Sequence, residues 1–415
     1  MWNKTKSSIF TATACTASLL VLSKIVIGVI LPTIQKDLHL PGIDIHWVVN
    51  SYFLVLAVLV LGAGKLADII GYRKFYLTGT VIFALSSALC GIADSFLELF
   101  IFRCLMGIGA TLMMTVGKPI LLSVFDLHER GKVNGISSSI EGCIGTITPL
   151  IGGIIIHFVS WHYIFLFNIP FCVLAFLLVW KDYPKKEESS SQKFDYFNFT
   201  FFAISLASLI TGAMLSVDLS LKSPLILSCF IISIITFLIW KKIEKKSANP
   251  LIDASVIKQP IFSFCFFTLI AFSGITTISI IVPIYFQFHL DVTPAISGLM
   301  VIPAGIPVLL FGGLVGKWLD KKGPLQPMLF GTIILALCIA WMGYCVGRYG
   351  YDYFIIGHIL YGLGMVLTIS PCLITALNII PQEKRASAYG ILLGGLQIGA
   401  LLGFTIIAIM LSTIQ

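Results

Sequence analysis

Charge is scarce in this sequence: Lys, Arg, Asp and Glu make up 11% of 415 residues, against about 25% in soluble domains. A soluble fold that is 58% hydrophobic would leave apolar surface against water at a cost of about 25 cal/mol per Å². Lipid is therefore the expected solvent for most of the chain. Short alternating apolar segments are also missing, which excludes a porin-type barrel; the apolar residues run in stretches of about twenty. A helix satisfies every backbone N–H and C=O within hydrocarbon, so the expected fold class is an all-α polytopic membrane protein.

Other absences narrow the function. The ten cysteines, from Cys15 to Cys372, form no CxxC and have no clustered His or carboxylate partners, so neither a disulfide framework nor a metal site is expected. No GxxxxGK[ST] loop is present, so no ATP site and no cofactor are expected. The first apolar run, Ile9 to Pro32, is longer than a signal-peptide core and lacks a small-x-small cleavage site. It reads as the first spanning helix.

Cutting at charged and turn-rich breaks leaves thirteen apolar segments: 9–32, 45–66, 75–93, 97–123, 133–158, 162–181, 199–217, 223–241, 261–287, 294–316, 326–346, 352–378 and 386–412. Of the 27 Lys and Arg residues, 21 fall on the side of the N-terminus. Only Lys36, Lys222 and Arg348 fall opposite, and Lys24, Arg103 and Lys118 lie inside segments. The positive-inside rule then predicts a cytoplasmic N-terminus, and an inner, cytoplasmic membrane is the expected location. The same loops account for the net charge of +8 as anchors to anionic headgroups, so no nucleic-acid partner is expected. The stretch Lys181–Asp195, with KKEESSSQK at its centre, is too polar to fold alone and reads as a linker. Lys241–Pro260 is basic, interrupted by Pro250, and is expected to lie along the headgroups.

An internal repeat organises the segments. Gly64-Lys65-Leu66-Ala67-Asp68-Ile69-Ile70-Gly71 returns 252 residues later as Gly316-Lys317-Trp318-Leu319-Asp320-Lys321-Lys322-Gly323. A second echo relates Arg130-x4-Gly135-Ile136 to Arg385-x4-Gly390-Ile391. Two related bundles are expected, 1–181 with six helices and 261–415 with five, separated by 182–260 with a linker, two inserted helices and a basic loop. The second bundle is then one helix short, with Gln415 on the outer side. Parallel repeats about an axis along the membrane normal are one architecture of alternating-access transport.

The residues resemble the major facilitator superfamily, in its fourteen-helix drug:proton antiporter branch. Gly64 to Lys74 is similar to that family's first-loop motif GxLaDrxGrk, and Trp47-Val48 with Tyr52 to its WV-x3-Y. Arg103-x3-Gly107 is similar to R-x2-qG, and Thr148-Pro149-x2-Gly152-Gly153 to the antiporter motif GP-x2-GG. Trp161-x2-Ile164-Phe165-x2-Asn168-x-Pro170 and Pro283-x-Tyr285-x-Gln287, followed by Thr293-Pro294, Gly298 and Pro303, resemble branch signatures. Thr148 stands where the family has Gly, and Ile69 where it has Arg. In the first helix Ser23-Lys24 occupies the place of the branch's embedded Asp. The resemblance implies a major facilitator fold, rocker-type alternating access and proton-coupled efflux of drugs or amphipathic small molecules by a monomer, with no enzymatic step.

The candidate site residues follow. Gly64, Asp68, Gly71, Arg73 and Lys74, with the repeat's Asp320, form either a gating latch or a topology-anchoring turn. Glu141 is the one carboxylate placed deep in a segment, where desolvation favours reversible protonation. It is either a proton carrier or a structural partner of Lys118. Arg103 either biases a carboxylate or substrate, or bonds the helix-one backbone or Gln35. Lys24 either offers an anion site or snorkels to the outer headgroups, and Lys118 has the same snorkelling alternative toward the inner face. Pro149, Gly152 and Gly153 form a hinge or a static kink. His358 either titrates in use or is simply hydrogen-bonded, and Gly395, Gly399 and Gly403 form a packing stripe. Alternatives to efflux are transport of an anionic metabolite, suggested by three embedded cations against one acid, or a membrane protein that transports nothing.

Overall fold

The computed structural model describes residues 2–184, 194–216, 219, 222–247, 250–251, 254–323, 325–345, 350–380 and 385–412. The central linker stretch 185–193, and Gln415 with its expected side of the membrane, lie outside the described residues. Among the described residues the elements are helices. The first group is α1 (Lys4–Asp37), α2 (Gly42–Ile70), α3 (Tyr72–Cys90), α4 (Phe96–Ser123), α5 (Leu127–Phe158), α6 (His162–Leu166) and α7 (Asn168–Asp182). An inserted pair follows, α8 (Tyr196–Leu215) and α9 (Pro224–Lys246), then the short α10 (Ala254–Ile257). The last group is α11 (Pro260–Thr276), α12 (Ile278–His289), α13 (Pro294–Met300), α14 (Gly305–Lys322), α15 (Leu325–Cys345), α16 (Tyr351–Asn378) and α17 (Arg385–Ser412). Ten helices of the described residues are individually long and apolar enough to cross a membrane.

Local chemistry sets the helix ends. Asn3 Oδ1 accepts from the Lys6 amide at 2.8 Å, the Ser95 and Asp195 side chains cap α4 and α8, and Asp126 with Glu129 forms a capping box on α5; each satisfies amides that have no partner in the first turn. Pro224, Pro260 and Pro294 open helices, where a missing N–H costs nothing. Gly71 takes φ 97° between α2 and α3, a conformation open to glycine. Three segments read as single spans are interrupted. α6 gives way to α7 at Phe167 and α11 to α12 at Thr277, and a 3-10 turn at Ile302–Ala304, containing Pro303, separates α13 from α14.

Packing follows the two groups. In the first, α1, α2 and α4 bury Val26, Val29, Tyr52 and Met106 in one cluster. α3 and α4 cross on small residues: a methyl on Gly79 would meet Leu112 Cβ at 2.7 Å, and one on Gly109 the Phe83 amide at 2.5 Å. Close backbone approach of this kind replaces the hydrophobic drive that lipid removes. The Ser87 hydroxyl donates to Phe165 O at 2.8 Å and accepts from Asn168 Nδ2 at 2.8 Å, which ties the α6/α7 break to α3. In the last group α11 packs on α17 and α15 on α16. Gly399 and Gly403 press on the backbone of Ile270 and Gly274, so the expected stripe is a packing face.

The inserted pair is held by a reciprocal bond: Ser205 Oγ donates to Ser233 O at 3.0 Å, and Ser233 Oγ to Ser205 O at 2.9 Å. It docks on α2, where Phe199 covers Gly62, and Lys65 Nζ donates to Pro250 O beyond the pair.

The α3/α4 crossing separates tight glycines from loose ones. Gly109→Ala should lower stability by about 1–3 kcal/mol through overpacking. Gly117→Ala, on the same helix with nothing within 4 Å, should leave it unchanged or slightly raised. Thermal unfolding of the two purified variants, followed by fluorescence-detected size exclusion, checks the contrast.

Candidate functional site

The two groups of helices meet along two seams. On the face away from the N-terminus, α5 crosses α13: a methyl on Gly153 would sit 2.5 Å from Ala295 Cα, and one on Gly298 would strike Pro149 O. Beside them Gln287 Nε2 on α12 donates to Val29 O of α1 at 3.1 Å and to Ser297 Oγ at 3.1 Å. Gly152 turns the other way, onto Val26 of α1 at 2.5 Å. Pro149, Gly152 and Gly153 thus form a surface that lets α5 touch α1 and α13 at once. Pro149 lies inside an unbroken α5. The sequence offered Gln287 and Gly298 as signature positions without a contact; only the fold pairs them with α1 and α5.

The second seam lies toward the face carrying the N-terminus, where α2 packs on α17. Here Gly64, Asp68, Tyr72, Pro119, Tyr389 and Gly390 line a cleft between α2, α3, α4 and α17. Asp68 accepts from Tyr72 Oη at 2.7 Å, one turn along the chain, and Lys65 is close enough to act on its charge. Arg73 donates to Trp180 O, Lys74 is exposed, and a side chain on Gly64 would meet nothing within 4 Å. The Asp320 side chain lies outside the described residues, as do those of Arg130 and Arg385.

Between the seams sits an ion pair. Glu141, half-buried and fourteen residues into α5, accepts from Lys118 Nζ of α4 at 2.9 Å and from Ser137 Oγ at 2.9 Å. Lys118 therefore turns inward rather than snorkelling. Tyr389 of α17 is within electrostatic range of Glu141, which brings the other group of helices to the pair.

Two cations have no such partner. Arg103 is fully buried; its Nε donates to Val48 O at 3.1 Å, one Nη meets Met106 Sδ at 3.8 Å, and the guanidinium lies 4.5 Å from the Tyr52 ring centroid. The structural alternative, a bond to helix one or Gln35, is met in kind but with another acceptor: the carbonyl belongs to Val48 of α2. Its second Nη makes no hydrogen bond among the described residues. Lys24, half-buried on α1, has no hydrogen bond or ion pair among them. His358 is buried, with Nδ1 2.8 Å from Phe354 O.

Paired helix groups joined by glycine crossings, with charges between, define a helical membrane transporter rather than an enzyme. The chain belongs to the Major Facilitator Superfamily, which it matches over residues 13–404. It is 25% identical to the multidrug resistance protein Stp of Mycobacterium tuberculosis over 99% of this chain and 76% of that protein. It is 28% identical to the multidrug transporter protein MdtP of Bacillus subtilis over 75% of this chain and 58% of that protein. The xylose transporter XylE of Escherichia coli, in a partially occluded inward-open conformation, superposes with a TM-score of 0.66 at 14% identity, covering 98% of this chain and 92% of that one. At that identity the likeness is one of fold.

The α5/α13 crossing can be tested by bulk. Gly298→Val should hold the helices apart. In an otherwise cysteine-free protein, Ser297→Cys, buried at that crossing, should then react several-fold faster with a membrane-impermeant maleimide than it does beside the native glycine.

Proposed function

We propose that this chain exports amphipathic small molecules in exchange for protons by alternating access between bundles 1–181 and 261–415. It would work as a monomer in the cytoplasmic membrane with its N-terminus inside. Orientation rests on the loop lysines and arginines. Efflux is supported by the names of the relatives Stp and MdtP.

The observation that carries proton coupling is the Glu141–Lys118–Ser137 cluster. Among the described residues Glu141 is the one carboxylate more than two turns from a helix end, and in hydrocarbon an ionised acid persists only with a partner. A proton arriving on Glu141 cancels the attraction to Lys118 and leaves the ammonium to seek another acceptor. Because α4 and α5 share the pair and Tyr389 of α17 lies in its field, loading and unloading it changes the balance between the two seams. Binding energy that differs between the two access states is what a coupled ion must supply. Asp68 and its cleft would then set how readily the α2/α17 seam opens, and Pro149, Gly152 and Gly153 how closely α5 follows α1 and α13.

In inverted vesicles carrying a respiration-driven pH gradient, added substrate should collapse ΔpH. Glu141→Gln should reduce that response at least tenfold, while binding of the same compound to purified protein stays within a few-fold. Equal responses from both proteins would remove Glu141 from coupling and leave antiport standing. No response to any cationic, neutral or anionic compound by correctly inserted protein would instead favour a membrane protein without transport activity.

A further inference from the structure

The embedded charges of the first helix group do not balance. Lys118 and Glu141 answer each other. Among the described residues no carboxylate forms an ion pair with Arg103 or with Lys24. The polar atoms of this group that are buried without a hydrogen bond among the described residues include Ser23 Oγ, Asn50 Oδ1, Tyr52 Oη and one Nη of Arg103, as well as Asn168 Oδ1 on α7. The first four belong to α1, α2 and α4, helices that share one buried cluster. Buried polar groups ordinarily have partners, so the unmet Ser23 and Tyr52 hydroxyls and Arg103 Nη, with no carboxylate paired to Arg103 or Lys24 among the described residues, mark a place where a partner can be supplied from outside the chain.

Lys24 is the accessible member of this set. It lies eight residues, about 12 Å, before Pro32, where the apolar run ends. α1 packs against α4, α5, α7, α12 and α13, and Lys24 is mostly buried among them. Its neighbours Val21 and Ile25 sit 3.3 and 3.5 Å from where a methyl on Gly145 of α5 would lie. Glu141 is one turn before Gly145 on the same α5 face. That acid is already held by Lys118 and Ser137.

We infer that Lys24 binds an anionic group of the transported solute, a carboxylate, sulfonate or phosphate on an otherwise apolar molecule, at mid-membrane between the two seams. This rests on the transport reading above and gives its substrate class. Ser23 Oγ adds a hydrogen-bond donor on the same helix, and Arg103 adds positive potential from α4. A lipophilic cation meets repulsion from both basic groups. The solute then enters its site as the counter-ion that the bundle lacks, with ionic and hydrogen-bonding terms strengthened by low dielectric.

The test uses dansyl-glycine, its methyl ester and ethidium as anionic, neutral and cationic probes in inverted vesicles, with thermal shift on the purified full chain as a binding readout. Wild type should accumulate and be stabilised by dansyl-glycine at least tenfold more effectively than by the ester, and should ignore ethidium. Lys24→Gln should abolish that preference, Lys24→Arg should keep it, and Lys24→Asp should lose the anion and gain ethidium. Three results overturn the inference. If acid and ester behave alike in wild type while ΔpH still collapses, transport stands and the anion site does not. If Lys24→Gln changes only the pH profile of transport and not the acid-to-ester ratio, Lys24 is an alternate partner of Glu141. If chloride alone gives the wild-type thermal shift and removes the response to dansyl-glycine, Lys24 holds an inorganic ion.

Discussion

A charge carried into hydrocarbon must be answered, and much of this molecule can be read as the list of answers. Asp68 is met by a tyrosine one turn along, Glu141 by a lysine of the adjoining helix and a serine one turn back on its own, and Arg103 by one backbone carbonyl and an aromatic face. Lys6, at the start of α1, lies between Asp126 at 2.9 Å and Glu129 at 2.5 Å, which ties that end of α1 to the capping box of α5. Where answers are complete, helices are fixed to one another. Where they are missing, as at Lys24, the protein holds a deficit that only a visiting group can remove.

Close packing works alongside charge. With lipid tails as apolar as leucine, helices gain nothing from hiding apolar surface from one another and must gain from contact itself. The glycines at the α3/α4 crossing and at α5/α13 perform the same physical task in two settings, one inside a helix group and one across a seam. A crossing inside a group only needs to form once. One across a seam must also come apart, so it is made of backbone and small side chains, which separate without leaving buried charge behind.

Much of the fold was legible in the sequence. Runs of twenty apolar residues, the repeat at Gly64 and Gly316, and the basic loops identify a two-part helical membrane protein, because lipid thickness and backbone satisfaction admit few other solutions. The positions of Glu141, Arg103 and Lys24 were readable as well, since charges stand out against an apolar background. Their partners were not. Whether Lys118 turns toward Glu141 or toward headgroups, and whether Arg103 meets α1 or α2, depends on helix rotation, which a uniformly apolar segment hardly encodes. The hydrogen bond from Gln287 to Val29 joins residues 258 positions apart, and no local pattern announces it. The breaks at Thr277 and at Ile302–Ala304 were likewise hidden inside long hydrophobic runs.

Those breaks differ in kind from a turn. α1 and α5 run unbroken through 34 and 32 residues, whereas the elements that face them from the other group, α12 and α13, are runs of twelve and seven residues. The junctions keep helical dihedrals, with Thr277 at φ −60° and ψ −23° and Val301 at φ −93° and ψ −7°. The chain therefore holds its course through both interruptions, and what changes there is the regularity of its hydrogen-bond ladder, on one side of the seam and not on the other.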